Sequence, residues 1–406
     1  MRTALVLSGG GARGAYEAGV LCYLREALPP ALGLRPEGLR LDVLCGTSIG
    51  AVNACFLAAT AHDPASQAAR LADLWRSLSL EEVFRWSTLS LSSIPGYVYG
   101  QLRSLQRRWV SWRLSDFLYP EALARVVEDR IDWGRVPSNI EAGHLDSLTV
   151  TATDLGTGRS VVFVQSARPL PPWSRDPLVE ARAGPIGPEH ALASGALPLL
   201  FRPVRIGDSW FSDGSIRQTT PVGPAVRLGA DRVIVIGTRY QGPAETLPPP
   251  ASDDAPSTAA QLGRILNALL LDRTGYDLER LRRSNDLLDR GTQAFGPDFE
   301  ERFNAAATPA LGAPLRRIRE FVIYPSRDIG QIARFHAEAR ATRIRPGTLA
   351  SRLLRWAAGG GNAAGDGSSD LASYLLFDRG FAEELIALGY ADAEARRADL
   401  EAFFRG

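Results

Sequence analysis

The chain has 406 residues, 45% hydrophobic and 22% charged, and its 46 basic and 45 acidic side chains leave a net charge of +1. That is a globular composition with ample core. The balanced charge gives no footprint for nucleic-acid binding, and no apolar run reaches the roughly 18 residues of a membrane-spanning helix.

The first residues run straight into a strand, Ala4-Leu5-Val6-Leu7-Ser8, with no basic-then-apolar leader, which predicts a cytoplasmic location. The strand ends in Gly9-Gly10-Gly11-Ala12-Arg13-Gly14, and a helical stripe of Tyr16, Val20, Tyr23, Leu24, Ala27 and Leu28 follows. A second strand, Leu39 to Cys45, leads into Gly46-Thr47-Ser48-Ile49-Gly50 and then the apolar helical run Ala51 to Ala59. Gly-x-Ser-x-Gly between a strand and a helix is the nucleophile elbow. The sharp turn lifts the Ser48 hydroxyl out of the sheet, and the N–H groups and positive dipole end of the new helix favour negative charge beside it. Cys22, Cys45 and Cys55 are odd in number, lie in apolar runs without metal-ligand spacing, and read as buried free thiols of a reducing compartment.

Gly9-x-Gly11-x-x-Gly14 matches the dinucleotide fingerprint, but the fingerprint needs an acidic residue at the end of the next strand. Here Asp42 lies near the start of that strand, which ends in the Ser48 elbow instead. Every basic residue is arginine, so a P-loop, which needs a lysine, is excluded. The other use of such a loop is an oxyanion hole, because the three consecutive glycines Gly9, Gly10 and Gly11 expose backbone N–H groups without Cβ obstruction. Arg13 either adds positive charge there or is a structural arginine at a helix start.

A serine nucleophile needs a base. The chain has four histidines, His62, His144, His190 and His336, and a hydrolase triad of the usual order would favour His336. Only 45 residues precede Gly46, too few for the several strands that come before the nucleophile in that fold, and His336 lies in a helical pattern. Asp213, in Trp210-Phe211-Ser212-Asp213-Gly214-Ser215, is the better base. It follows a short aromatic strand and precedes a turn, and burial would raise its pKa toward the working pH.

Between these motifs, Leu102, Leu105, Trp109 and Trp112 share a helical face, while Arg103, Arg107 and Arg108 fall mostly elsewhere. An Arg/Trp amphipathic helix within residues 97–119 is what a surface helix packed on a core looks like, and it also fits peripheral contact with a membrane. Further strands are predicted at Leu148 to Thr153, Ser160 to Val164, Arg232 to Gly237 and Arg319 to Pro325. The stretch Pro243 to Pro256 reads as a linker or mobile loop, residues 259–305 as helical, Gly359 to Ser369 as flexible, and Asp370 to Phe404 as a helical tail. The early βαβα order predicts a three-layer α/β/α sandwich around a mostly parallel sheet. A catalytic domain over 1–240 would carry a helical C-terminal extension over 241–406, with one strand returning to the sheet.

Together, Gly9 to Gly14, Gly46 to Gly50 and Asp213-Gly214-Ser215 resemble the three marks of the patatin-like phospholipases. Ala193 to Val204 and Gln218 to Ile236 resemble the family's stretches on either side of the last mark, so the likeness covers roughly residues 1–240. The resemblance implies a Ser48–Asp213 dyad, an oxyanion hole in the glycine loop, a lipid substrate and no metal or organic cofactor. In place of the family's third Gly or Ala stands Ser215, which would be strained if the position required a positive φ. The activity implied is a lipid acyl hydrolase. The alternatives are a transacylase using the same residues and an inactive lipid-binding module.

Overall fold

The computed structural model describes residues 1–80, 85–86, 118–119, 121–171, 173, 177–198, 201–217, 221–242, 261, 265, 274–311, 314–343 and 368–405. The Arg/Trp segment over 97–117, the stretch 243–256 and residues 359–367 lie outside the described residues.

In chain order the first elements are β1 (Thr3–Leu7), α1 (Gly14–Cys22), α2 (Leu28–Ala31), β2 (Val43–Thr47), α3 (Ile49–Ala59) and α4 (Pro64–Ser77). A two-residue pair, β3 (Arg85–Trp86) and β4 (Leu118–Tyr119), stands apart from the main sheet. Then come α5 (Glu121–Arg130), α6 (Arg135–Glu141), β5 (Ser147–Asp154), β6 (Ser160–Ser166), β7 (Val179–Ala183) and α7 (Pro188–Ser194). They are followed by β8 (Val204–Ile206), β9 (Ser209–Asp213), α8 (Val222–Arg227), β10 (Arg232–Ile236), α9 (Thr274–Phe295) and α10 (Phe299–Leu311). The last are β11 (Arg319–Ile323), α11 (Ile329–Arg343), α12 (Ser368–Leu375), α13 (Arg379–Ala395) and α14 (Arg397–Arg405).

The main sheet runs β11-β10-β1-β2-β5-β6-β7, with β9 on β5 and β8 on β9. From β11 to β5 every pairing is parallel; β5–β6 is antiparallel. A parallel strand covered on both faces needs apolar side chains throughout, and all five residues of β1 are buried. Successive side chains face opposite layers. Ala4 and Val6 join Val233 and Val235 on one side, against Val222 and Ala225 of α8 and Leu278 and Leu281 of α9. Leu5 and Leu7 join Ile234 and Ile236 on the other, in the larger core that contains α1, α3, α4 and α13. This is the three-layer α/β/α arrangement with a mostly parallel sheet that the element order predicts.

The C-terminal helices close that larger core. Phe381, Leu385 and Ile386 of α13 are buried, each contributing roughly 2 kcal/mol of apolar burial. The backbones of α1 and α13 lie in contact: a Cβ on Gly389 would fall 2.2 Å from the Tyr16 carbonyl oxygen. Next to it, the Tyr16 hydroxyl donates to Asp392 Oδ2 at 3.1 Å, and the Ser326 N–H donates to the same oxygen at 2.9 Å.

Candidate active site

The sheet register brings the two separated motifs together. Strand β6 occupies one edge of β5 from Ser147 to Thr153. The other edge is shared. β2 runs up it in parallel and ends with Thr47 opposite Thr151, while β9 comes down it antiparallel and ends with Asp213 opposite Ala152. The C-terminal ends of β2 and β9 therefore meet head-on, and Ser48 and Asp213 leave their strands at the same point. The next residue, Gly214, turns so tightly there that a Cβ would lie 2.2 Å from the Thr151 carbonyl oxygen.

Ser48 has φ +56° and ψ −130° and is the only non-glycine residue with positive φ among the described residues. Such a conformation costs on the order of 1–3 kcal/mol and persists only where the surroundings impose it. Three contacts do so. Ser194 Oγ accepts the Ser48 N–H at 2.8 Å and donates to Thr151 O at 2.6 Å. The Ala51 N–H donates to Ser48 O at 2.9 Å, starting α3. Gly50 packs so closely on the end of β1 that a Cβ would lie 2.5 Å from Leu7 O, while Gly46 in turn lies against the Gly50 carbonyl. Thr47 and Ile49 flank the serine and are buried with it.

The glycine loop lies over the serine. A Cβ at Gly9 would come 2.6 Å from Ser215 Oγ and 3.0 Å from Ser48 Cβ, so all three motifs converge on one point. Gly9 O accepts the Thr238 hydroxyl at 2.7 Å. Gly11 has φ +57° and lies against the Tyr374 carbonyl. The N–H groups of Gly10, Gly11 and Ala12 take part in none of the loop's backbone hydrogen bonds, whereas Arg13 N–H donates to Gly10 O and Gly14 N–H to Gly11 O and Ala12 O. The Arg13 guanidinium turns to the C-terminal region: Nε donates to Ser373 Oγ at 2.8 Å and a terminal nitrogen meets Asp370 Oδ1 at 3.1 Å. Of the two readings for Arg13, the side chain follows the structural one.

Asp213 is fully buried. Oδ1 accepts the Ser215 N–H at 2.8 Å, and Oδ2 has no hydrogen-bond partner among the described residues. Burial pushes the pKa of this carboxyl up to about 6, against the hydroxyl of Ser48 and the N–H and hydroxyl of Ser215, which favour the charged form. Its backbone is pinned on both sides: Asp213 N–H donates to Ala196 O at 2.9 Å and Thr153 Oγ1 donates to Asp213 O at 2.9 Å. Ser215 has no positive φ, so serine fits there without strain.

Behind the loop, Asn53 Nδ2 donates to Glu17 Oε2 at 2.8 Å and to Gly14 O at 3.2 Å, and Trp75 Nε1 donates to Asn53 Oδ1 at 3.1 Å. This chain of bonds fixes α1, α3 and α4 together. Burial raises the Glu17 pKa well above the ordinary carboxyl value. Two of the four histidines, His190 and His336, have other partners. His190 Nδ1 accepts the Gly187 N–H at 3.0 Å and His336 Nε2 pairs with Glu384 at 2.8 Å. Cys22, Cys45 and Cys55 are buried free thiols; burial pushes the first two up to about 12 and the third higher still. No cluster of three or more metal-ligating side chains occurs among the described residues, and no described helix is long and apolar enough to cross a membrane.

Sequence reading missed Ser194, Thr238, Asn53 and the Asp370–Tyr374 contacts. Ser194 lies in a stretch that carries the family resemblance, but nothing in the order of residues reveals that its hydroxyl braces the elbow.

The model of the patatin-like phospholipase family matches residues 5–226, more than half of the chain, and the chain belongs to that family. Among solved structures it is similar to VipD from Legionella pneumophila, at 13% identity and TM-score 0.31. That match covers 92% of this chain and 66% of the VipD chain, so this chain spans just under two thirds of its neighbour. It is also similar to ExoU in the ExoU–SpcU complex from the type III secretion system of Pseudomonas aeruginosa, at 18% identity and TM-score 0.29, covering 92% of this chain and 74% of that one. No curated relative matches the chain at a significant level.

Proposed function

We propose that the protein is a lipid acyl hydrolase, a phospholipase A-like esterase acting through Ser48 and Asp213. The observation that carries this reading is the fully buried Asp213 carboxyl, its pKa raised to about 6 by burial against the opposing effect of the Ser48 hydroxyl, with its Oδ2 left without a partner among the described residues. Such a group is ionised at neutral pH yet basic enough to take a proton. Ser48 Oγ attacks the ester carbonyl carbon as its proton passes to Asp213, and the N–H groups of Gly10, Gly11 and Ala12 hold the oxyanion. Collapse of the tetrahedral intermediate breaks the ester C–O bond, and the proton on Asp213 goes to the departing alcohol, a lysolipid. Water then attacks the acyl-enzyme with Asp213 as base again, and Ser48 regains its proton as the fatty acid leaves. A glycerophospholipid or related ester bound from a membrane surface suits an apolar site of this kind, with residues 97–119 as the contact.

Purified protein incubated with a mixed lipid extract should release free fatty acid, and a fluorophosphonate probe should label the wild type but not Ser48→Ala. Labelling that persists in Ser48→Ala rules the assignment out. An added lipid alcohol that captures the acyl group in place of water would make the enzyme a transacylase.

A further inference from the structure

Ser48 and other described residues line a small, partly open apolar cavity of about 30 Å³. Gly11 and Ile49 line it from the two glycine motifs and Val52 from α3, and Leu375 and Phe377 line it from the far end of the chain, beyond the residues that match the family.

The wall made by Leu375 and Phe377 is anchored on both sides. Asp370, Ser373 and Tyr374 are gripped by Arg13, whose guanidinium lies 4.5 Å from the Tyr374 ring centre. The Phe377 ring stacks on Trp75, with centres 6.1 Å apart and planes within 5° of parallel. Ser48 lines the same cavity, so an acyl group bonded to it would lie against that wall.

Resting on the hydrolase reading, we infer that Leu375 and Phe377 form a wall of the acyl-chain subsite that sets the length of chain Ser48 accepts. Changes at the wall then shift the chain-length preference in either direction. The readout is the ratio of kcat/KM for decanoyl over butyryl p-nitrophenyl ester, with melting temperature measured alongside. Leu375→Ala should raise the ratio by about 10-fold or more, and Leu375→Trp should lower it by a similar factor, as expected for methylenes fitted to or excluded from an apolar pocket. If Leu375→Ala does not fold, Leu375→Val should give a smaller shift in the same direction. Single-turnover labelling of Ser48 by alkyl fluorophosphonates of the same two lengths should follow the same order. An active, labelled wild type whose variants fold and keep its ratio overturns the subsite alone. A wild type that neither hydrolyses the esters nor is labelled at Ser48 overturns the hydrolase reading, and the subsite with it.

Discussion

Burial lifts the Asp213 carboxyl from its ordinary 3.8 to about 6, and that has a consequence for stability as well as for reactivity. The unfolded chain ionises near the lower value and the native chain near the higher one. The native state is therefore favoured in full below pH 3.8, and that advantage fades as pH rises through about 6. Above it, the fold carries a buried charge at a cost of roughly 3 kcal/mol. Asp213→Asn should accordingly be more stable than wild type in urea unfolding at pH 8, by up to about 3 kcal/mol, with the gain shrinking toward pH 4. The same substitution should slow ester hydrolysis by about 100-fold or more. In the wild type, kcat/KM should climb with pH through an apparent pKa near 6; a flat profile from pH 5 to 8 would contradict the role given to this carboxyl. Ser48 permits a cleaner comparison. Alanine and glycine both lack the hydroxyl, but only glycine accepts φ +56° and ψ −130° without strain. Ser48→Gly should therefore unfold at higher denaturant than Ser48→Ala, by about 1 kcal/mol. Equal stabilities would mean that the elbow is unstrained.

At the scale of elements, the bracing of α3 decides how firmly the elbow is held. Removing the Asn53 amide leaves the Trp75 indole N–H and the Glu17 carboxyl buried without their partner. Asn53→Ala should then lose about 2–3 kcal/mol or more in thermal or urea unfolding; a loss below about 0.5 kcal/mol would show that water replaces the amide. Such elements were only partly legible in the sequence. The strands β1 and β2 announce themselves, because a strand flanked and covered on every side must be apolar throughout, and the glycines mark where the backbone has to pass close. Asp213-Gly214 was visible as a turn at the end of an aromatic strand. What could not be read is anything that depends on which strand lies beside which. Ser194 reaches Ser48 and Thr151 only because α7 lies across the ends of β2 and β5. Thr238 reaches Gly9 only because β10 pairs with β1. Local pattern fixes an element's type, but the partners of a serine or threonine follow from long-range packing. Residue types so common carry no signal of their own.

For the molecule as a whole, the C-terminal helices are part of the core. The interface of α1 with α13 has no room for a side chain at Gly389. Gly389→Leu should push the helices apart and lower the melting temperature by several degrees, the change expected for a few kcal/mol in a protein of this size. An unchanged melting temperature would mean that α13 can shift without loss. A fragment of residues 1–240 keeps every mark of the family but exposes the α1 face that Phe381, Leu385 and Ile386 cover. It should be recovered as aggregate rather than as a cooperative folder, tested by calorimetry and by its solubility on expression.

The head-on meeting of β2 and β9 also sets a timetable. A ribosome adds roughly 5–20 residues per second, so Ser48 emerges on the order of ten seconds or more before Asp213. Through that interval β1 has no neighbour on one edge, because its partner Arg232–Ile236 is not yet made. A long-range pairing of this kind is slow to form and leaves an apolar strand open to wrong partners. The nascent chain should therefore lean on chaperones that shield exposed strands. On the proposed dyad, the serine it already displays should stay silent toward lipid until Asp213 has been made and β9 has paired with β5.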